Sequence, residues 1–205
     1  MKIGYFGFNM GPLAEPVAMS EILQAVERCG FESAWTGEHV VAIDPQAAPS
    51  PIAPDHVMLA TVAPLSFAAA VTSRIKLGSG IILLAQRNPL VLAKELAGID
   101  VLSQGRLLVG VGVGYVPGEF EALGIPYGER GARTSEHIEA MRALWTQDKP
   151  VFNGKFTSFS GIQSKPSPVQ TPHPPIIIGG MSPPAYRRAV RHGSGWYGFN
   201  QSLEA

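Results

Sequence analysis

The chain has 205 residues, of which 45 % are hydrophobic and 16 % charged, enough apolar material for one domain with a sizeable core. Lys plus Arg is 16 and Asp plus Glu is 16, so no basic excess points to nucleic acid or an anionic membrane surface. No apolar run approaches the ~20 residues of a membrane span, no basic and apolar leader is expected at Met1, and the lone cysteine, Cys29, excludes an intrachain disulfide and suits a cytoplasmic protein.

Short β-rich runs alternate with helical patterns, which predicts βα units around a parallel sheet. The first strand is predicted over residues 2–8. Pro16 opens a helix, because the first turn needs no N–H from it. Ile22, Val26 and Cys29 recur at helical spacing and Gly30 ends the pattern, so Cys29 is expected to be a small buried hydrophobe. A second strand over 31–38 leads to His39. Residues 40–56 carry Pro45, Pro49, Pro51 and Pro54 and are read as an active-site loop or lid rather than a simple connection. Asp55 is placed as the cap of a helix over 57–73, which Pro64 should kink or interrupt. The third strand is 75–84. Pro89 opens a helix to about Ser103, and the fourth strand is 106–113. Residues 130–147 form an amphipathic helix with Ile138, Met141, Leu144 and Trp145 on one side. The rhythm breaks over 148–175, read as a hairpin and proline-rich insertion. Asn153-Gly154 between two β-rich pairs signals a tight hairpin, and Pro166, Pro168, Pro172, Pro174 and Pro175 exclude regular structure. A fifth strand at 176–178, a helix opened by Pro183 or Pro184 and ended by Gly193, and the start of a sixth strand at 196–199 follow. No repeat and no linker divides residues 1–205, which are read as one domain.

Ligands of parallel barrels bind at the C-terminal ends of the strands. Glycines 78, 80, 110, 112, 114, 179 and 180 lie in or just after strands, where glycine marks a bend or the close approach of a ligand. Three strands sharing this feature at one end favour a flat or charged ligand on bare backbone. Gly179-Gly180-Met181-Ser182 precedes a proline-opened helix, where unpaired N–H groups and the Ser182 hydroxyl would suit a phosphate. An ordinary glycine turn capped by Ser182 fits that segment equally well. His39 ends a strand on the same side, and an imidazole is the side chain best suited to carry a proton there, although a structural role is the commoner one for such a histidine. His56, His137, His173 and His192 are expected in mostly solvated positions, and no metal spacing is present. Gly110-x-Gly112-x-Gly114 has the wrong spacing for a dinucleotide fold, and no acidic strand end follows about 20 residues later.

Several segments run in family order along nearly the whole chain: Gly30-Phe31-Glu32-Ser33-Ala34-Trp35 before Glu38-His39-Val40, Ile75-Lys76-Leu77-Gly78-Ser79-Gly80-Ile81, and Arg87-Asn88-Pro89 with Ala93-Lys94. They continue with Leu102-Ser103-Gln104-Gly105-Arg106-Leu107 into Gly110-Val111-Gly112-Val113-Gly114, Pro174-Pro175-Ile176 into Gly179-Gly180, and Gly193-Ser194-Gly195-Trp196. Together they resemble the luciferase-like monooxygenase superfamily, nearest to the oxidoreductases that use the deazaflavin coenzyme F420. Monooxygenases that use FMN share much of the pattern.

The resemblance implies an α/β fold, a (β/α)8 TIM barrel of the bacterial-luciferase type that is incomplete here, with about strands 1–6. It implies a flavin-type ring on the strand ends, over a non-proline cis peptide at Gly80-Ile81. The residues it offers for cofactor binding are Ser79, Gly80, Ile81, Gly112, Gly114, Tyr115, Gly179, Gly180, Met181 and Ser182, the last four at the phosphate. His39 matches a histidine facing the reactive centre, and Glu38 stands beside it as a second catalytic candidate. Tyr115 occupies the position where F420-dependent sugar-phosphate dehydrogenases carry a glutamate, which argues against sugar phosphates as substrates. The implied activity is hydride transfer between F420 and a small organic substrate. The alternatives are an FMN-dependent monooxygenase and a non-catalytic flavin-binding protein. The implied partners are a small-molecule substrate and a second copy in a homodimer. Five βα units and a sixth strand leave the edges of an eight-stranded barrel open. Either more chain beyond Ala205 or a partner subunit is expected to cover them.

Overall fold

The computed structural model describes residues 1–199. Its strands are β1 (Gly4–Phe6), β2 (Ser33–Thr36), β3 (Lys76–Ser79), β4 (Ile82–Leu83), β5 (Leu107–Gly112), β6 (Phe152–Asn153), β7 (Ser158–Phe159), β8 (Ile176–Gly179) and β9 (Gly195–Tyr197). Its α-helices are α1 (Pro16–Arg28), α2 (Val62–Val71), α3 (Pro89–Leu102), α4 (Pro117–Ala122), α5 (Arg130–Thr146) and α6 (Pro183–His192). The main sheet is parallel and runs β1-β2-β3-β5-β8-β9, with β4 added beside β5. Each neighbour pair is joined by a helical crossover, as in the first six strand positions of a (β/α)8 barrel. Among the described residues, no helix is long and apolar enough to cross a membrane.

Alternation along the strands decides where the core sits. Ala34, Leu77, Leu107, Val109, Val111, Ile176 and Ile178 point to the helices and are fully buried. Against them α1 packs Met19, Leu23 and Val26, and α5 packs Ile138, Met141, Leu144 and Trp145. Trp145 also donates its indole N–H to the Ala93 carbonyl (3.0 Å), tying α5 to α3. Pro16, Pro89 and Pro183 stand at the first position of their helices, where a missing N–H costs no hydrogen bond.

Buried polar groups fasten the connections. The Asp100 carboxylate, wholly buried on α3, accepts the Val169 and Gln170 N–H groups and the Gln170 side-chain amide, which anchors the proline-rich segment to the helix layer. Arg106, before β5, donates to the carbonyls of Ala69, Thr72, Ile75 and Ser103. The Leu102–Leu107 motif is therefore accounted for by a fastening at the N-terminal rim of the sheet.

Several expectations are corrected. The helix expected over 57–73 begins at Val62, and Pro64 lies uninterruptedly in its first turn, where no N–H is required. Asp55 caps nothing, because residues 57–59 run extended beside 9–11: Gly11 donates to Val57, Leu59 donates to Asn9, and Met10 bridges Met58. The tight Asn153-Gly154 turn is a longer one. Phe152 pairs with Phe159 and Asn153 with Ser158, while the Glu136 carboxylate gathers the Lys155, Phe156 and Thr157 N–H groups inside the loop. Cys29 is exposed at the end of α1. His137 and His192 are buried rather than solvated; His137 shares a hydrogen bond with the Leu84 carbonyl. Helix α4 has no counterpart in the sequence reading.

Candidate active site

The third strand breaks where the glycine-rich motif ends. Gly78 pairs with Leu108 and Ile82 with Val111, so four steps on one strand oppose three on the other, a one-residue bulge. The peptide Gly80-Ile81 inside it is cis, as the resemblance implies. Ser79 beneath the bulge is wholly buried. Its hydroxyl donates to the Gly110 carbonyl (2.7 Å) and accepts the Gly110 N–H (2.8 Å). Ser79 thus stitches the bulge to β5 and has no free face for a ligand.

The strand-end glycines, expected to leave bare backbone for a ligand, are largely filled from within. A Cβ on Gly112 would lie 2.1 Å from Ile81 Cδ1, and one on Gly179 2.4 Å from the same atom. On Gly110 it would meet the Ser79 carbonyl oxygen at 1.8 Å and Ile81 Cγ2 at 3.3 Å. Ile81 therefore lies in a hollow floored by three glycines of β5 and β8. Trp35 does the same one strand pair away, over Gly4 and Gly78, with the Tyr197 ring 5.5 Å from its own. Gly114, at φ +77, makes room for Phe120. These glycines are explained by packing that builds an uneven, largely apolar inner surface.

Beside that surface lies a chain of polar groups. Glu38 and His39 follow β2 after the single residue Gly37. The Glu38 side chain is fully buried: one oxygen accepts the Leu83 N–H (2.7 Å) and the other pairs with Arg87. Burial pushes its carboxyl above the ordinary range, with Arg87 and the Leu83 N–H pulling the other way. Both oxygens are used inside the protein. His39 is mostly buried, and its Nδ1 lies 2.5 Å from the Glu119 carboxylate on α4. The other Glu119 oxygen accepts the Gln86 side-chain amide at 3.0 Å. The Tyr115 ring stands edge-on to His39, with centroids 6.3 Å apart. Burial first, and the Glu119 charge second, push its phenol up, so it stays a neutral donor at physiological pH. Gln86 ends the short 3-10 turn Leu84–Gln86 and Arg87 follows it, and the bulge and β4 aim this turn toward β2. Asn9 closes the arrangement, exchanging hydrogen bonds with Gly37 and donating to the Leu59 carbonyl.

The Gly179–Ser182 turn continues from the floor under Ile81 and is exposed from Gly180 onward. Ser182 precedes α6 but makes no capping bond. Pro183 and Pro184 remove two of the N–H groups that a helix start would otherwise offer an anion. The Gly180 carbonyl accepts the Trp196 indole N–H (2.7 Å) and its N–H contacts Tyr197 O at 3.4 Å.

The structure thus brings His39, Glu38 and Tyr115 together at the strand ends, beside the bulge. Met181 and Ser182 lie exposed in the turn between β8 and α6. Sequence reasoning assigned no role to Arg87, quoted only as a motif, nor to Gln86 and Glu119. A buried glutamate 80 positions from its histidine leaves no local signal. Among the described residues, no group of three or more His, Cys, Asp or Glu could hold a metal ion.

The family model described as luciferase-like monooxygenase matches residues 2–205. An FMNH(2)-dependent dimethylsulfone monooxygenase of Pseudomonas putida is 37 % identical over 183 residues, covering 86 % of this chain and 47 % of the relative. The crystal structure of monooxygenase RslO1 from Streptomyces bottropensis matches with 34 % identity and a TM-score of 0.77, over 96 % of this chain and 59 % of that one. An F420-dependent secondary alcohol dehydrogenase in complex with an F420-acetone adduct has 23 % identity and a TM-score of 0.78, over 96 % and 57 %, a likeness of fold alone. The chain spans about half to three-fifths of the length of these proteins.

Proposed function

This chain belongs to the luciferase-like monooxygenase family, and from that premise we propose that it carries the reduced-flavin site of a monooxygenase acting on a small organic substrate. The observation that carries the reading is His39. It sits at the end of β2 beside the Gly80-Ile81 bulge, oriented by a buried carboxylate and edge-on to a neutral tyrosine. The residues fit a flat aromatic ring. Ile81 offers a half-buried apolar bulge, Phe6 is 41 % exposed on the same inner face, and Trp35 and Tyr197 continue it.

When bound, the reduced flavin supplies the electrons for the reaction with dioxygen. The chain supplies the rest. Ile81, Phe6 and Trp35 shield one face of the ring from water. His39 takes up or delivers a proton at the reacting group, and Tyr115 offers a hydroxyl that remains protonated at physiological pH. Glu38 acts from below, holding Leu83 and Arg87 so that the bulge keeps its place. Ser182 and the Gly179–Gly180 turn are the candidates for holding the flavin phosphate.

A second reading, oxygen-insensitive hydride transfer with F420 as cofactor, rests on the motifs nearest to that branch. Reconstitution separates the two. Substrate-dependent oxygen consumption with FMN and a reductant supports the monooxygenase. Turnover with F420 that is indifferent to oxygen replaces it with the hydride-transfer enzyme.

A further inference from the structure

We propose that Glu119 is the positioning residue for His39: it holds the Nδ1 proton and so leaves Nε2 as the nitrogen that faces the substrate. The proposal rests on the reading of His39 as the proton carrier, and it adds the device that fixes which nitrogen works.

The geometry is local and specific. Glu119 is 1 % exposed, and its Oε1 lies 2.5 Å from His39 Nδ1. Its Oε2 accepts the Gln86 amide at 3.0 Å, so the carboxylate cannot swing away without losing a buried partner. Gln86 is turned to serve it. Its own Oε1 is left buried with no hydrogen-bond partner, and rotating the amide to change that would bring its oxygen against the Glu119 carboxylate. Glu38 and Arg87, the other charges beside the site, neutralise one another. On the far side of the imidazole, Nε2 makes no hydrogen bond among the described residues and is not among the buried unpaired atoms. It is therefore the nitrogen open to solvent. A carboxylate that accepts from one ring nitrogen sets the tautomer and the ring plane, as it does wherever a histidine's second nitrogen does the work.

The carrier of Glu119 supports the assignment. Helix α4 has only six residues, Pro117–Ala122, and buries Glu119 and Phe120. Phe120 lies against Gly114, where a Cβ would come within 2.9 Å of its ring. The turn after β5 is thus built to lay this short helix over the strand end and to deliver one carboxylate to His39.

The test is ¹⁵N NMR of the histidine rings in the whole chain, recorded at about pH 9, above the ordinary histidine range, on the parent, Glu119→Gln and Glu119→Leu. In the parent, His39 is expected to carry its proton on Nδ1. Glu119→Gln is near-isosteric and still offers Nδ1 an acceptor, so it should keep that tautomer. Glu119→Leu should release it to a mixture. Turnover should fall about 10–100-fold in Glu119→Leu with KM changed less than about threefold, on the scale of other partners that orient a working histidine, and Glu119→Gln should recover part of it. A parent His39 protonated on Nε2, or a tautomer that ignores Glu119→Leu, overturns the proposal. If Glu119→Leu does not fold, the parent and Glu119→Gln spectra decide. The NMR result stands whichever cofactor is used. A correct tautomer together with a His39→Ala variant of normal turnover would defeat the proton-carrier reading while leaving the positioning contact in place.

Discussion

The two faces of the parallel sheet are made from alternate residues of the same strands, yet they differ in kind. Toward the helices, Ala34, Leu77, Val109, Val111 and Ile178 are sealed. Toward the inside, Phe6, Trp35, Leu108, Ile177 and Tyr197 are only partly covered, and glycines there make room for Trp35 and Ile81. The outer face is a finished core. The inner face is a shaped surface whose polar corner holds the candidate chemistry. Substitutions on the first should therefore read out as stability, and on the second as binding and turnover.

The largest expected effect lies at the polar corner. His39→Ala should lower turnover about 10²–10⁴-fold, the usual worth of a positioned proton carrier, while the stability cost of leaving the buried Glu119 carboxylate one partner short stays at about 1–3 kcal/mol. A loss confined to stability would make His39 structural and break the division.

Next comes the core. Leu77→Ala removes a wholly buried side chain between sheet and helices and should cost about 2–5 kcal/mol in chemical denaturation. Leu108, the residue after Leu107 with which Leu77 pairs across β3 and β5, points inward and is partly exposed. Leu108→Ala should cost only about 1 kcal/mol. Equal losses would show that the inner face is as sealed as the outer.

A smaller effect is expected at the rim. Ser182→Asp adds a charge at an exposed position that makes no capping bond, so the fold should tolerate it. Affinity for FMN should drop about fivefold, a repulsion of ~1 kcal/mol, and affinity for riboflavin, which lacks the phosphate, should stay. Equal weakening of both would move the phosphate elsewhere.

The smallest effect sharpens the outer side. Glu27 accepts the Ser73, Arg74 and Ile75 N–H groups, and these bonds outweigh burial to hold its carboxyl down at about 2. A depressed acid contributes stability above its unfolded value near 4.5 and loses it as pH falls from there toward 2. Glu27→Gln should flatten the acid branch of the melting curve over that window and leave turnover alone.

The outer face was legible because it obeys short rules. Apolar residues at helical spacing marked Ile138, Met141, Leu144 and Trp145, and proline marked the starts of α1, α3 and α6. What escaped was set by distant partners. The Asn153-Gly154 turn widened because Glu136 collects the loop's N–H groups, and α4 is too short to show a period. Of the candidate site, His39 was visible from its place at a strand end, and the cis peptide from resemblance. The strand-end glycines were visible too, but their meaning was not: composition cannot tell a place left for a ligand from one filled by Ile81. Glu119 was silent in sequence because its partner is 80 positions away.

The division between the faces is tested most directly by the isoleucine methyl groups. In a chain labelled at Ile δ1, saturation with FMN, and separately with F420, should shift the Ile81 resonance strongly with at least one of them and leave Ile176 and Ile178 unmoved. An Ile81 signal indifferent to both cofactors at saturation, or shifts led by the outer-face isoleucines, would contradict a flavin-type site on the bulge.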